Sequence, residues 1–174
     1  MRIFIIGYKS TGKTTLGKKL ASKLNLNFID LDDYIEAMYR KTVPEIFSEE
    51  GEQNFRNKEW EALVKLCNEE SDVVVSTGGG APCWCDNMNL MLQKGETIYL
   101  KLDNETLVGR LKKATIDRPI VKGLSTTELH DYVKDLKDRC EHHYLRAKYH
   151  IDAKGLSVND LVGLIQRTIV TESS

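Results

Sequence analysis

Eight residues near the amino terminus have the types and spacing needed to hold phosphate groups. Gly7, Gly12, Lys13 and Thr14 fit the pattern G-x-x-x-x-G-K-[ST], directly after an apolar run and before a helical segment. The glycines let backbone N–H groups turn toward phosphate oxygens, and the helix start adds a partial positive charge. Lys13 brings a charge to the outer phosphates, and the Thr14 hydroxyl can bind Mg²⁺. The segment therefore predicts a nucleoside triphosphate site.

Two carboxylates follow the next strand-like run. Asp30 and Asp32 stand two residues apart, and if the strand continues through Leu31 their side chains point to the same side. Such a pair suits two tasks beside a phosphate loop, holding Mg²⁺ and orienting an attacking hydroxyl. The alternative is a helix N-cap with a solvated neighbour, with Asp33 as the start of the helix.

Three arginines and a glycine triplet are further candidates. Arg56, Arg118 and Arg139 each lie in a mixed-charge stretch, where a single arginine is most often a surface ion-pair partner. The triplet Gly78–Gly80 follows a β-branched run, and three glycines are needed where a backbone bends sharply or approaches a ligand. A flexible loop is the alternative for the triplet.

These candidates are separated by alternating strand-like and helical patterns. Strands are predicted at 2–6, 27–31, 73–76, 97–102 and 149–153, and helices at 14–25, 32–70, 105–113, 126–147 and from 158 onward. Strands joined by helices form βαβ units, which predicts an α/β fold with a mainly parallel sheet covered on both faces. Ligands bind beyond the carboxyl ends of such strands, where the phosphate loop, the aspartates and the glycine triplet all fall.

Composition limits the function further. The 174 residues suit one domain, and a net charge of -1 provides no global field for nucleic acid or anionic lipid. No apolar run is long enough to span a bilayer, and no secretory leader precedes the first strand, so we expect a cytoplasmic protein without a membrane partner. The four cysteines lack zinc-site spacing and are expected to be reduced thiols.

The complete set of motifs resembles the shikimate kinase family. The matching segments are the phosphate loop 7–15, the run 28–32, Gly51–Arg56, the run 76–81, Arg118–Pro119 and Arg139. They follow the family's order and spacing over nearly the whole chain. Gluconate kinases and nucleoside monophosphate kinases share the loop but do not combine it with the other motifs.

The resemblance implies a three-layer α/β/α P-loop kinase fold with a five-stranded parallel sheet, like that of nucleoside monophosphate kinases. It implies a single domain over residues 1–174, with an acceptor-binding helical region at about 32–62 and a mobile lid at about 112–124. The implied reaction transfers the γ-phosphoryl group of ATP to the 3-hydroxyl of shikimate, in aromatic amino acid biosynthesis, by a monomer.

The resemblance also implies residue roles. Lys13, Asp32 and Arg118 would be catalytic, and Thr14 with Asp30 would hold Mg²⁺. Nucleotide contacts would come from Ser10, Thr11, Gly12, Lys13, Thr14, Thr15 and Arg118. Shikimate contacts would come from Asp32, Arg56, Gly78, Gly79, Gly80 and Arg139.

The sequence departs from the family pattern in places. Arg139 is followed by Cys140 to Tyr144 where relatives have Ala-Pro-x-Tyr, which leaves its direction open. Lys9 stands where small residues are common, and is interpreted only as an exposed charge. Two other functions stay open, a kinase for another hydroxylated acid and a nucleotide-binding module that regulates a partner.

Overall fold

The computed structural model describes residues 1–113 and 123–172, the last three of these by their backbone only. Arg118 and most of the predicted lid at 112–124 lie outside the described residues.

The described residues form an alternating series of strands and helices. In chain order these are β1 (Arg2–Ile6), α1 (Lys13–Leu24), β2 (Asn27–Asp30), α2 (Leu31–Tyr39), α3 (Val43–Glu69), β3 (Val73–Ser76), a 3-10 turn (Ala81–Cys83), α4 (Asn87–Lys94), β4 (Glu96–Lys101), α5 (Asn104–Lys113), α6 (Thr126–Tyr144), β5 (Tyr149–Asp152) and α7 (Val158–Glu172).

The five strands form one parallel sheet in the order β2-β3-β1-β4-β5. Every residue of β3, and Ile3 to Ile6 of β1, is buried. These central strands are covered on both faces, which is why they are continuous apolar runs without alternation. The predicted parallel α/β fold is therefore confirmed.

The long helical stretch predicted after the aspartates is divided in two. Arg40 ends α2 in the left-handed region, with φ of 55°. Thr42 then opens α3 with a capping box, in which its side chain accepts from the Glu45 N–H and the Glu45 carboxylate accepts from the Thr42 N–H. Gly51, with φ of 81°, kinks α3. Sequence periodicity missed this break because both halves have helical spacing.

Two short elements between β3 and β4 were not predicted. The 3-10 turn has Pro82 in its first positions, and the eight-residue helix α4 follows it. Their shortness explains the omission, since a periodic pattern needs about 11 residues or more to be recognised.

The sheet brings the candidate residues to one edge. In the register of the sheet, Ser76 at the end of β3 lies beside Ile5 on one side and Asp30 on the other. The carboxyl ends of β1, β2 and β3 therefore meet, and each is followed by a segment singled out in the sequence. Among the described residues, no helix combines the length and apolar character required to cross a membrane.

Candidate active site

The phosphate loop is shaped by residues with positive φ. Gly7 has φ of 144°, Ser10 of 66° and Gly12 of 91°, and Gly12 is the N-cap of α1. The Thr11 hydroxyl donates to the Tyr8 carbonyl at 2.9 Å, which fixes the loop from inside. Thr15, by contrast, is exposed. The Ser10 hydroxyl is buried and has no hydrogen-bond partner among the described residues.

Lys13 lies inside this loop. Its Nζ donates to the carbonyls of Gly7 at 2.8 Å and Tyr8 at 2.7 Å, and the residue is only 7% exposed. The Lys13 ammonium group therefore lies within the phosphate loop. A phosphate oxygen at the same position would exchange with these carbonyls as the partner of the ammonium group.

A group of oxygen atoms lies beside the loop. The Thr14 hydroxyl donates to Asp30 Oδ2 at 2.8 Å, and the Ser76 hydroxyl oxygen is 3.5 Å from the Thr14 hydroxyl oxygen. Hydroxyl and carboxylate oxygens fit Mg²⁺, which binds few protein ligands directly and keeps water and phosphate oxygens as the rest. Within the described part of the chain no cluster of three or more His, Cys, Asp or Glu could hold a metal. The donor set therefore fits an ion bound together with nucleotide phosphates.

Asp30 has a second contact, and this corrects the interpretation of the acidic pair. Asp30 Oδ1 accepts from the Asp32 N–H at 3.1 Å and caps α2, so the helix-cap alternative holds for Asp30, and the helix begins at Leu31 and not at Asp33. Strand alternation was also the wrong reason for relating Asp30 to Asp32, because β2 ends at Asp30. Asp32 lies in the first turn of α2, and that helical turn places it near Asp30.

Asp32 is in an environment that favours a base. Burial, and next the charge of Asp30, raise the pKa of Asp32, while Lys9 and Lys13 act in the opposite direction. A raised pKa makes a carboxylate a better proton acceptor near neutral pH. Lys9, interpreted from the sequence as an exposed charge only, is thus a cation within electrostatic reach of this carboxylate.

Arg56 forms an ion pair with a glutamate that the sequence analysis did not single out. Arg56 donates to Glu59 Oε2 at 2.9 Å, and Glu59 is 1% exposed. Burial raises the pKa of Glu59 to about 7 despite the opposing charge of Arg56. Glu59 Oε1 and Arg56 Nε are buried without a hydrogen-bond partner among the described residues. This buried pair therefore leaves one donor atom and one acceptor atom without a hydrogen-bond partner among the described residues.

The glycine triplet lies between these groups. A Cβ added at Gly78 would be 3.1 Å from Asp32 Oδ1, and one at Gly79 would be 3.2 Å from the backbone nitrogen of Lys9. A Cβ at Gly80 would be 2.9 Å from Cζ of Arg56. The triplet thus lets the acidic, basic and phosphate-loop segments approach one another.

Arg139 lies on the exposed side of α6. Its Nε donates to the Asp135 carbonyl at 3.3 Å, within the helix, and the residue is exposed. The same helix is tied to the glycine triplet, because the Tyr144 hydroxyl donates to the Gly79 carbonyl. Helix α6 therefore borders the site, and Arg139 is close enough to Cys140 to lower the pKa of its thiol, as Arg56 also does.

Another arginine contacts the phosphate loop. Arg110, on α5, donates to the Ser10 carbonyl at 3.0 Å. Nothing in its sequence context distinguished it from the neighbouring basic residues of α5, and only the packing of that helix reveals it. Glu59 had a weak signal, since it follows Arg56 by three residues on one helical face.

The parallel sheet, the phosphate loop and the group of acidic and basic side chains at its edge define a P-loop kinase for a small acceptor. The sequence model of the family described as shikimate kinase matches residues 9–170. A shikimate kinase of Bacteroides fragilis is 47% identical over 149 residues, which are 86% of this chain and 83% of the relative.

Solved structures agree with this match. The shikimate kinase of Bacteroides thetaiotaomicron, a crystal structure, has a TM-score of 0.90 at 42% identity over 97% of this chain and 98% of its own. That of Acinetobacter baumannii, solved in complex with shikimate, has a TM-score of 0.86 at 30% identity over 98% and 93%. The chain belongs to the shikimate kinase family, whose members are ATP-dependent kinases that transfer phosphate to shikimate.

Proposed function

We propose that this chain transfers the γ-phosphoryl group of ATP to the 3-hydroxyl of shikimate at the edge where β1, β2 and β3 end. The observation that carries the proposal is the convergence there of three chemically different groups. They are the ammonium group of Lys13 in the phosphate loop, the carboxylate of Asp32 and the guanidinium group of Arg56.

The phosphate loop holds the nucleotide. Backbone N–H groups at the start of α1, the free hydroxyl of Ser10 and the Lys13 ammonium bind phosphate oxygens, and Thr11, Gly12 and Thr15 complete the loop. Arg110 lies against the loop and adds positive charge there. These groups stabilise the charge that spreads over the transferring phosphoryl group, which is the main catalytic task in phosphoryl transfer.

Thr14 and Asp30 would hold Mg²⁺ through their oxygens, with Ser76 beside them. When bound, the ion would neutralise phosphate charge. Asp30 Oδ1 caps α2, so the helix cap fixes the direction of Oδ2, the oxygen that accepts from Thr14.

Asp32 accepts a hydrogen bond, and then the proton, from the attacking hydroxyl of shikimate. Its raised pKa supports this role. Arg56 and Arg139 bind the carboxylate of shikimate, with Gly78, Gly79 and Gly80 lining the pocket. Arginine suits this end because its planar guanidinium group can bind a carboxylate through two hydrogen bonds.

Arg118 and the lid at 112–124 stay predictions of the sequence, and so do the monomeric state and the cytoplasmic location. Under the proposal Arg118 reaches the transferring phosphoryl group when the lid closes, which excludes water from the reaction.

The test is a coupled assay of ADP release with shikimate, gluconate or a nucleoside monophosphate as acceptor. We expect release with shikimate only, and a Lys13→Ala variant that is folded but slower by several orders of magnitude. Release with another acceptor would replace the proposed substrate, and a protein that binds ATP without releasing ADP would be a regulatory module. If Lys13→Ala keeps more than about a tenth of the activity, a barrier change of about 1.4 kcal/mol, the role of Lys13 is wrong.

A further inference from the structure

The indole ring of Trp84 lies over the guanidinium group of Arg56. The Cζ atom of Arg56 is 5.4 Å from the centre of this ring, within the distance of about 6 Å at which the face of an aromatic ring attracts a cation. The Arg56 side chain is only 11% exposed, and such a contact is stronger where the cation is shielded from water. Trp84 is thus a direct partner of an arginine at the candidate site.

The backbone around Trp84 fixes the position of its ring. The Trp84 N–H donates to the Ala81 carbonyl at 3.5 Å, and its carbonyl accepts from the Asn87 N–H at 3.4 Å. The next residue, Cys85, contacts the arginine as well, because its thiol donates to the Arg56 carbonyl at 3.9 Å. The ring therefore belongs to a segment that contacts both the backbone and the side chain of Arg56.

The 3-10 turn that precedes Trp84 shapes the space around Arg56 from both of its ends. Gly80 is the N-cap of the turn, and Trp84 is its C-cap. A Cβ added at Gly80 would lie 2.9 Å from Cζ of Arg56. One end of the turn therefore leaves room for the guanidinium group, and the other end covers it with a ring.

The remaining contacts of Arg56 restrain only part of its guanidinium group. Nη1 donates to Glu59 Oε2 at 2.9 Å, whereas Nη2 is 3.5 Å from Glu52 Oε1, longer than an ordinary N–H···O hydrogen bond. Nε is buried and has no hydrogen-bond partner among the described residues. One hydrogen bond lets a planar group turn about the bonded nitrogen. A ring over Cζ opposes that turn, because the group would have to move off the face of the ring.

We propose that Trp84 is a positioning residue, whose ring holds the Arg56 guanidinium group in the orientation that binds the carboxylate of the acceptor. This role rests on the proposed function, in which Arg56 binds the carboxylate of shikimate. Two parallel hydrogen bonds between a guanidinium group and a carboxylate form only when the two planar groups are aligned. Loss of the ring therefore lowers the affinity for the acceptor and leaves the nucleotide site unchanged.

The first experiment measures the steady-state kinetics of Trp84→Leu, which keeps an apolar side chain but has no ring. We expect KM for shikimate to rise by about three- to tenfold, with kcat and KM for ATP unchanged. Trp84→Phe keeps an aromatic face and should recover most of the loss. Trp60→Leu is the matched control, since it removes the other tryptophan of the chain, which borders a surface groove with Val64 and Lys65. This control should keep the KM of the wild type for shikimate.

A double-mutant cycle shows whether Trp84 acts through Arg56. Residues in contact give non-additive effects, whereas independent residues give additive ones. In an Arg56→Lys background, Trp84→Leu should have little further effect on kcat/KM for shikimate, because the planar group that the ring holds is gone. An equal fold-loss in both backgrounds would mean that Trp84 has a separate structural role, and would overturn the proposal.

Fluorescence tests the contact without any substrate. Trp60→Phe leaves Trp84 as the only tryptophan of the chain. In that background Arg56→Met should move the emission of Trp84 to longer wavelength, because water replaces the guanidinium group over the ring. Unchanged emission would overturn the contact.

The kinetic results separate this proposal from the proposed function. A wild type that phosphorylates shikimate, with the same KM in Trp84→Leu, would overturn the positioning role alone. A wild type that does not use shikimate would overturn the proposed function and with it the acceptor assigned to Arg56.

Discussion

The guanidinium group of Arg56 occupies the space that a side chain at Gly80 would need. A Cβ added at Gly80 would lie 2.9 Å from Cζ of Arg56, closer than a carbon atom tolerates. Gly80 itself has φ of -84°, so its backbone would accept alanine without strain. Glycine is therefore required here by the arginine and not by the turn.

Gly80→Ala should weaken shikimate binding with little loss of stability. The added methyl group displaces the end of a flexible side chain, which costs little folding energy but moves the guanidinium group from its place. We expect KM for shikimate to rise by about tenfold, or about 1.4 kcal/mol, and the melting temperature to stay close to that of the wild type. Gly109→Ala is the control, since its Cβ meets nothing within 4 Å among the described residues. Equal KM values for shikimate in the two variants would contradict the expected effect of the contact between Gly80 and Arg56 on shikimate binding.

Glu59→Gln should change how stability depends on pH. The pKa of Glu59 is about 7 in the folded protein against an ordinary value of 4.5, so between these values the folded state binds more protons than the unfolded state. The free energy of unfolding of the wild type therefore falls as the pH rises through this window, by at most on the order of 3 kcal/mol. Glutamine does not titrate, so the variant should gain stability relative to the wild type between pH 5 and pH 8.

Urea unfolding of the wild type and of Glu59→Gln at pH 5 and at pH 8 measures this difference in the free energy of unfolding. Parallel changes in the two proteins would mean that Glu59 ionises normally in the folded state.

Lys9→Met should move the acid limb of the profile of kcat/KM against pH. Lys9 lowers the pKa of Asp32, so without this charge Asp32 keeps its proton to a higher pH. The profile of kcat/KM against pH reports the free enzyme, and its acid limb should shift to higher pH. Lys23→Met, on the exposed last turn of α1, removes the same charge far from Asp32 and should leave the profile in place. An identical shift in both variants would indicate a general charge effect.

Thr14→Val should weaken the use of Mg²⁺, because valine keeps the shape of threonine but lacks the hydroxyl that donates to Asp30. The Mg²⁺ concentration needed for half-maximal activity should rise by about 10–100-fold. Thr14→Ser retains the hydroxyl and should stay close to the wild type in a Mg²⁺ titration at fixed ATP. If valine and serine behave alike, the metal site lies elsewhere.

Arg139→Lys tests the acceptor end. Lysine keeps the charge but loses the two-point fork of the guanidinium group, so shikimate affinity should fall by about tenfold or somewhat more, while ATP affinity is unchanged. Calorimetric titration with each ligand separates the two effects. Equal weakening of both ligands would indicate damaged folding, and unchanged shikimate binding would remove Arg139 from the pocket.

Local features of the site could be predicted from the sequence. The phosphate loop, β1 at Arg2–Ile6 and β3 at Val73–Ser76 were all found from pattern alone, because local residue types determine glycine conformations and apolar runs. The order of the motifs along the chain was likewise enough to indicate the family.

Only the tertiary structure decided which of these residues act together. The pairing of Arg56 with Glu59 was hidden within a uniform helical pattern, and its position beside Gly80 joins segments that are far apart in the chain. Asp30 shows the limit most clearly, since the sequence left a metal site and a helix cap as alternatives for the acidic pair, and only the structure shows that Asp30 caps α2. A sequence pattern reports the period and the local backbone, whereas contacts between distant segments depend on how the helices pack against the sheet.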